Sequence, residues 1–389
     1  MAQVIHLLKK ATRHGAANRV ARVSEVDAML QANAVAAVGV SGGKDSDACA
    51  IAVDHHLDAI GHTGPRVLIH ADLGRVEWKD SLPSCQRLAE RLGWELMVVE
   101  RQAGDMLARW EGRWANNVSR YVDLECVKLI LPWSTPSMRF CTSELKTAVI
   151  ASALRRRFRG QDIVNVTGVR RQESAARSKM PVWSEDARLT RKNGRGVTWN
   201  AIIDWPVEDV LYAIESAGLR LHEAYTVYGA SRVSCAYCIM SAEADLLAAT
   251  RCTDNHAVYV AMVELEAASS FAFQGNRWLA DMAPSLLSQD LRDRVARAKN
   301  VAVLRQVAEA RIPKSALYTK GWPSEVPSAE LAGVIAGVRR EVSDLLDLNA
   351  RYLTAVEVRE RYQALMSIRQ EREDGTVAAT QGELLQCAA

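Results

Sequence analysis

The sequence of 389 residues lacks any apolar run approaching the roughly 20 residues that a membrane-spanning helix needs. It also lacks a large charge of one sign. The formal net charge of +3 argues against a protein that coats nucleic acid without specificity. Its N-terminal stretch, MAQVIHLLKKATRHGAANRV, has only a short apolar patch before the lysines, which is the wrong order for a secretory signal. We therefore expect a cytoplasmic protein with no membrane partner.

The sequence has little cysteine, with eight in 389 residues, and in a cytoplasmic chain we expect them to form no disulfide framework. In a cytoplasmic protein cysteines act as buried apolar residues, metal ligands or nucleophiles rather than as cross-links. Internal repeats and low-complexity segments are absent from the sequence as well. A hydrophobic content of 49% and a charged content of 24% are typical of an ordinary globular protein with one large or two medium domains.

Apolar, β-rich runs alternate with helix-like segments between about residues 34 and 240. The predicted strands are AVAAVGV (34–40), RVLIHAD (66–72), ELMVVE (95–100) and DIVNVTGV (162–169). Apolar strands separated by helices indicate a parallel sheet with both faces covered. The predicted fold class is therefore α/β, with a doubly wound, mostly parallel sheet whose functional loops follow the carboxyl ends of the strands.

The strand pattern stops near residue 253, and helical spacing of apolar residues continues beyond it. We predict an N-terminal helical segment at 1–33, a nucleotide-binding domain at 34–252 and a helical C-terminal region at 253–389. The polar stretch 172–200 is expected to form one long loop.

The stretch VGVSGGKDSDACA (38–50) places a glycine-rich turn between a strand and a helix. Such a junction offers backbone N–H groups and a helix dipole to phosphate. A Walker A loop would need glycine at Val38 and a hydroxyl at Asp45, and the dinucleotide fingerprint fails at Lys44 and Ser46. Because a carboxylate directly after the lysine suits a bound metal ion, we predict a site for a nucleotide polyphosphate with Mg²⁺.

The six residues of this turn, Ser41, Gly42, Gly43, Lys44, Asp45 and Ser46, resemble the SGGKDS signature of the PP-loop superfamily, the adenine nucleotide alpha hydrolases. The resemblance implies a Rossmann-like sheet that binds ATP and cleaves it between the α and β phosphates, usually to adenylate a substrate. It further implies that Lys44 neutralises charge during cleavage and that Asp45 or Asp72, at the end of the second strand, holds Mg²⁺.

A second motif, TGVRRQESAARS (167–178), resembles the G-[IL]-R-x-x-[ES]-S-x-x-R segment of the phosphoadenosine phosphosulfate (PAPS) reductase family. In that family the segment closes over the nucleotide phosphates. The matching positions are Gly168, Arg170, Glu173, Ser174 and Arg177. Two arginine forks there suit phosphate or sulfate oxygens. The residues predicted to be catalytic are Lys44, Asp45 and Arg170, and Arg170 is expected to neutralise, together with Lys44, the charge that develops during cleavage.

The cysteine-containing segments MRFCTSELK (138–146) and YGASRVSCAYCIM (228–240) resemble those that hold a [4Fe–4S] cluster in the cluster-containing reductases. The resemblance assigns Cys141, Cys235 and Cys238 as ligands, while Phe140 replaces the first cysteine of the tandem pair. Cys252 is the predicted fourth ligand, with Cys126 and Cys85 as further candidates. Zinc, a redox dithiol and a buried core position are the alternatives for these residues.

Two departures from the PAPS reductases narrow the functional prediction. Those enzymes generally have a degenerate PP-loop, whereas this loop is intact, and Cys387 lacks the residues that flank their C-terminal nucleophile. The pattern looks more like the DNA-phosphorothioation branch, in which an ATP pyrophosphatase with an iron–sulfur cluster prepares the backbone for sulfur insertion. We therefore predict ATP cleavage that adenylates an acceptor for sulfur insertion. A sulfonucleotide reductase and a nucleic-acid-binding accessory protein with a non-catalytic nucleotide site are the alternatives.

The predicted acceptor is DNA or tRNA, and the predicted protein partner is a cysteine desulfurase. Two basic clusters are either solvated faces or a groove for a phosphate backbone. They comprise Arg155, Arg156, Arg157 and Arg159, and then Arg188, Arg191, Lys192 and Arg195.

Overall fold

The computed structural model describes residues 20–319 and 322–373. Their contacts form two compact units. The first comprises the described residues as far as Leu107 together with Arg139–Tyr259, and the second comprises Ala108–Met138 together with the described residues from Val260 onwards. The domain boundaries that the sequence suggests, after residues 33 and 252, stay a prediction, and the contacts group 108–138 with the C-terminal helices. Cys387 lies outside the described residues.

The first unit is built on one six-stranded sheet. Its strands are β1 (Val35–Val40), β2 (Arg66–Asp72), β3 (Glu95–Glu100), β4 (Ile163–Val166), β5 (Trp183–Glu185) and β6 (Gly196–Trp199). They lie in the order β3-β2-β1-β4-β6-β5, and all pairs are parallel except β5 with β6. The predicted mostly parallel α/β fold is confirmed.

Both faces of this sheet are buried. On β1, Val35 and Ala37 belong to one apolar core and Ala36, Val38 and Val40 to the other, because successive side chains of a strand point to opposite faces. The longer helices of the first unit are α1 (Ser24–Gln31), α2 (Lys44–Ala59), α3 (Ser81–Leu92), α4 (Met106–Val122, which continues beyond Leu107), α5 (Ala148–Arg157), α6 (Val207–Ser216) and α7 (Glu243–Thr250). Helices α2 and α3 contribute to one core and α5 to the other, which is the doubly wound arrangement.

The prediction of one long loop over 172–200 is wrong. This stretch contains the helical turn Ala175–Ser178, the edge strand β5, and β6, which pairs with β4 inside the sheet. Strand β6 is only four residues long and follows a run of basic residues, so its apolar pattern is too short to stand out. Tertiary pairing with β4 makes this segment a strand.

The second unit is helical in its described residues. Besides the greater part of α4 it contains α8 (His256–Ser269, from Val260 onwards), α9 (Gln289–Ala310), α10 (Ala329–Leu346) and α11 (Ala355–Glu373). Its core joins Tyr121 and Leu124 to Ala308, Ile335 and Val358, so residues distant in sequence share one apolar cluster. Among the described residues, no helix is both long and apolar enough to cross a bilayer.

Candidate nucleotide site and cysteine segment

The PP-loop joins β1 directly to α2, and packing requires glycine at its position 42. Gly42 has a φ of +72°, and a Cβ atom there would lie 2.8 Å from the carbonyl oxygen of Ser81. The Ser46 hydroxyl donates to the Gly43 carbonyl at 2.8 Å and accepts the Ser41 amide at 3.3 Å. The loop is therefore closed on itself at the amino end of α2, and the amino end of a helix attracts anions.

Gly168 brings the second motif against the same helix end. A Cβ atom at this position would lie 2.5 Å from the Asp45 carbonyl oxygen and 3.0 Å from the Ser46 amide nitrogen. Only glycine allows this approach without displacing backbone. The segment after β4 and the loop after β1 thus meet at the carboxyl edge of the sheet, as the sequence predicts.

Arg170 is buried and paired with Asp45. Its Nε lies 2.6 Å from Asp45 Oδ1, its Nη1 donates to the Trp205 carbonyl at 3.3 Å, and its exposed fraction is 5%. The Arg170 amide donates to Glu173 Oε2 at 2.8 Å, which fixes the backbone as well. Arg170 is therefore held by protein groups on its side chain and its backbone.

Lys44 contacts Tyr225 and Ser231, and sequence reasoning did not connect these residues with the PP-loop. Its Nζ lies 3.4 Å from Asp45 Oδ2, donates to the Ser231 carbonyl at 3.3 Å, and lies 4.9 Å from the centre of the Tyr225 ring. The Lys44 amide donates to the Tyr225 hydroxyl at 3.4 Å. Ser231 lies within the cysteine motif 228–240 and Tyr225 lies just before it, but nothing in the sequence connects either residue with Lys44, which is about 180 residues away along the chain.

The remaining predicted nucleotide-binding residues lie on loops and turns beside the sheet. Asp72 ends β2, and its Oδ1 accepts the Gly74 amide at 2.7 Å. Glu173 forms an ion pair with Arg177, while the Ser174 hydroxyl accepts the Arg177 amide at 3.2 Å and so caps a short helical turn. The arginine fork of Arg177 is thus partly engaged within its own motif.

A buried polar cluster lies beneath the PP-loop, and sequence reasoning missed two of its members. His70 Nδ1 lies 3.1 Å from the Val40 carbonyl and His70 Nε2 lies 3.1 Å from Glu77 Oε2. Burial alone would lower the pKa of His70, but the Cys85 sulfur and the Glu77 carboxylate raise it to about 10. Two acceptors facing both ring nitrogens indicate an imidazolium.

The cysteine segment packs beside this cluster. The Ala236 amide donates to the Val76 carbonyl at 2.8 Å, which places Cys235 next to Glu77. Burial and the neighbouring Cys238, Glu77 and Cys141 raise the pKa of Cys235, and Lys146 lowers it, so that the pKa comes to about 12. The three cysteines matched by the reductase motifs therefore share one electrostatic neighbourhood.

These cysteines do not form a ready-made metal centre. Over the described residues, no three His, Cys, Asp or Glu side chains converge so that they could hold a metal ion. Cys141 lies in the helical turn Phe140–Thr142, which runs through a π-helical turn, Ser143–Thr147, into α5. Thiolates suit iron–sulfur clusters and zinc, but in this arrangement a cluster would require the three thiols to move together.

The candidates for a fourth ligand are all buried. Cys252 has an exposed fraction of 1%, and its thiol together with burial raises the pKa of Tyr228 to about 12. Cys85 lies 3.7 Å from His70 Nδ1, and Cys126 belongs to the second unit, where it accepts from Asn117 Nδ2 at 3.7 Å. The assignment of Cys252 stays a prediction.

The two basic clusters come together away from the PP-loop. Arg155 donates to the Arg188 carbonyl, which joins the end of α5 to the turn before β6. Both clusters precede parallel strands, β4 and β6, so they lie at the amino edge of the sheet. The PP-loop follows the opposite, carboxyl edge. A phosphate backbone held by these arginines would not be presented directly to Lys44.

Two proteins illustrate how far similarity to known chains extends. An uncharacterised 37.8 kDa protein in the gpa 5′ region of Escherichia phage 186 is 28% identical over 246 residues, covering 54% of this chain and 68% of the phage protein. The U34-tRNA thiolase NcsA from Methanococcus maripaludis, solved with its [4Fe–4S] cluster, is 14% identical and covers 78% of this chain and 80% of its own, with a TM-score of 0.28. That score is too low to establish a shared fold.

The family comparison is more specific. The model of the phosphoadenosine phosphosulfate reductase domain matches residues 35–240. That range begins at β1 and ends two residues after Cys238, so it contains the PP-loop, the Arg170 segment and the three cysteines. The match covers more than half of the chain. The chain therefore belongs to the phosphoadenosine phosphosulfate reductase domain family, within the PP-loop superfamily.

Proposed function

We propose that this protein binds ATP at residues 41–46 and cleaves it between the α and β phosphates to adenylate an acceptor. The observation that carries the proposal is the complete SGGKDS loop at the amino end of α2, with Lys44 and Arg170 on the carboxylate of Asp45. A substrate without β and γ phosphates would not need this full set of anion-binding groups. The family match supports sulfur-related nucleotide chemistry.

In the proposed reaction, an oxygen of the acceptor attacks the α-phosphorus. The bond from that phosphorus to the bridging oxygen breaks, and pyrophosphate leaves with the electron pair. The backbone N–H groups of residues 41–46 bind the β and γ phosphates, and Lys44 neutralises charge on the leaving group. Arg170 acts through Asp45 as a positioning residue, because its guanidinium is already engaged by Asp45 and the Trp205 carbonyl.

The metal ion that accompanies ATP is assigned to Asp72 rather than to Asp45. The Asp45 carboxylate faces two cations, with Arg170 Nε at 2.6 Å and Lys44 Nζ at 3.4 Å. These charges reduce its attraction for Mg²⁺. Asp72 lies at the end of β2, where one carboxylate oxygen accepts the Gly74 amide. Carboxylate and phosphate oxygens are the ligands that Mg²⁺ prefers.

The cysteines enter the proposal as a ligand set, with no reaction step assigned to a cluster. Cys141, Cys235 and Cys238 supply soft thiolates for iron–sulfur or zinc, and Cys252 remains the predicted fourth. Iron, zinc and sulfide analysis of anaerobically purified protein tests this assignment. One cluster per chain is expected in the wild type, with loss of metal in Cys235→Ser. A wild-type protein free of iron and zinc would contradict the assignment.

The proposed acceptor is DNA or tRNA, activated for sulfur insertion, with a cysteine desulfurase as the sulfur donor. This part extends the resemblance to the phosphorothioation branch, and the intact PP-loop is its basis. We expect pyrophosphate release from ATP to increase when the correct nucleic acid is added. Substitution of Lys44 by alanine should abolish that release, whereas Lys314→Ala, at an exposed position of the second unit, should leave it unchanged.

A sulfonucleotide reductase is the second candidate, and the family match favours it. It predicts that, with a dithiol supplied as the two-electron reductant, sulfite is released from PAPS without ATP and in dependence on Cys387. This candidate would be favoured over adenylation by two results together. Sulfite release would be lost in Cys387→Ser, and no pyrophosphate would form from ATP with any of the acceptors added.

A further inference from the structure

One segment of the first unit contacts both the PP-loop and the cysteines. We call Tyr225–Val233 the strap. It begins in the helical turn Glu223–Thr226 and ends two residues before Cys235. The Tyr225 hydroxyl accepts two backbone amides, from Lys44 at 3.4 Å and from Val233 at 3.1 Å. A single phenol oxygen therefore joins the start of α2 to the end of the strap.

The strap also engages the functional group of the PP-loop lysine. Lys44 Nζ donates to the Ser231 carbonyl at 3.3 Å, and a Cβ atom on Gly43 would touch the Val233 side chain at 3.5 Å. Ser231 is held in turn by Asp245 of α7, which accepts its amide at 2.7 Å and its hydroxyl at 3.0 Å. The strap is thus anchored by Asp245 and contacts the PP-loop through Tyr225, Ser231 and Val233.

Beyond the strap, the cysteine segment has its own anchor. The Ala236 amide donates to Val76, and the Ser241 amide donates to the Cys238 carbonyl at 2.9 Å. Because Cys235 is only two residues after Val233, a displacement of Val233 should also move Cys235. The hydrogen bond of the Ala236 amide to Val76 limits the size of that movement.

We propose that the strap couples phosphate binding at Lys44 to the position of Cys235 and Cys238, with Tyr225 as its positioning residue. A triphosphate is a stronger partner for an ammonium group than the neutral Ser231 carbonyl, and the Lys44 amide is one of the donors that a phosphate oxygen would seek. Nucleotide binding exchanges these two contacts for contacts with phosphate. The strap is then released from the loop, and the backbone around the cysteines loosens.

This inference rests on the proposed binding of ATP, and the test separates the two. The probe is α,β-methylene-ATP with Mg²⁺, in which the α–β bridge cannot be cleaved. Calorimetry measures its binding, and amide hydrogen exchange read by mass spectrometry follows a peptide spanning residues 229–241 in the full chain. In the wild type we expect exchange in this peptide to become at least threefold faster on binding.

The variant Tyr225→Phe keeps the ring and removes the shared hydroxyl. Its amides in residues 229–241 should already exchange rapidly before nucleotide is added. Addition of the analogue should change that exchange rate little, although the variant should still bind the analogue. Tyr212→Phe, on α6, is the matched control and should behave as the wild type. Asp245→Ala, which frees Ser231 at the other anchor, should also raise exchange without nucleotide.

Binding without any change of exchange in the wild type would overturn the coupling and leave the ATP proposal intact. A Tyr225→Phe protein that responds to nucleotide as the wild type does would also overturn it. Absence of analogue binding in the wild type would contradict the proposed function and the coupling together.

Discussion

At the scale of single residues, the site is organised by charge compensation around buried groups. Asp45 neutralises Arg170, and Glu77 neutralises the imidazolium of His70 beneath the loop. Each pair is at least partly removed from water, and removing one partner of such a pair costs more than the pair itself contributes. Arg170 therefore joins the segment after β4 to the start of α2, and His70 joins β2 to the end of β1.

His70 gives a prediction of how stability depends on pH. Its pKa is raised in the folded chain to about 10, so its contribution is complete below its unfolded pKa of about 6.5 and is lost as pH rises towards 10. His70→Asn should destabilise the first unit by about 3 kcal/mol at pH 6. The difference from the wild type should shrink steadily between pH 7 and pH 9.5 in urea unfolding experiments.

His62 provides the control for this prediction. Its pKa is lowered by burial, and its Nε2 lies 2.9 Å from the Ala34 carbonyl. A neutral histidine of this kind loses stability only as pH falls below about 6.5. The difference between wild type and His62→Asn should stay flat from pH 7 to pH 9.5. A similarly flat profile for His70→Asn would show that His70 is neutral in the fold.

At the scale of elements, the amino end of α2 is where three chain segments meet. The loop after β1 forms the end itself, Gly168 after β4 approaches it within contact distance, and Ser81 of α3 packs on Gly42. The anion-binding geometry is thus a property of packed backbone rather than of any one side chain.

Gly168→Ala tests that packing. The added methyl group would meet the Asp45 carbonyl oxygen at 2.5 Å, so either the strand end or the helix start must shift. We expect a loss of about 2 kcal/mol in the free energy of unfolding and at least tenfold weaker binding of the ATP analogue. Gly112→Ala, in α4 with no neighbour within 4 Å of its added Cβ, should instead stabilise the chain by up to about 1 kcal/mol. Equal stability of both variants would contradict the contact.

The sequence predicted those parts of the fold and site that depend on local pattern. Long apolar strands such as β1 and β2, the glycine turn and the order of the cysteines follow from neighbouring residues. Strand β6 could not be predicted in this way, because its four residues, which follow a run of basic residues, form a strand only when they pair with β4. The contacts of Lys44 with Tyr225 and Ser231, and the burial of Arg170 against Asp45, depend likewise on tertiary packing across more than 100 residues.

At the scale of the whole molecule, the two units are interleaved in sequence. The core of the second unit includes Tyr121, Leu124 and Leu129, which come from the segment between β3 and the first cysteine motif, and Ile335 and Val358 from the C-terminal helices. Neither part of that core can bury its apolar surface without the other.

Truncation experiments test this interleaving. A chain ending at residue 259 leaves the apolar residues of 108–138 without their partners and should aggregate. Replacing 108–138 in that truncated chain by a flexible glycine–serine linker should restore a soluble protein that unfolds cooperatively, as followed by gel filtration and circular dichroism. The division into units would be contradicted if the chain ending at residue 259 were soluble with 108–138 still present, or if the chain with the linker aggregated.

The most direct test of the proposed activity is to identify which bond of ATP is broken. ATP labelled separately at the α and γ phosphates is incubated with the protein and candidate DNA or tRNA acceptors, and the products are separated. The proposal predicts that the γ label appears in pyrophosphate and that the α label appears in AMP or in an adenylated acceptor. The variant Lys44→Ala should form neither product. The appearance of ADP and inorganic phosphate instead would contradict it.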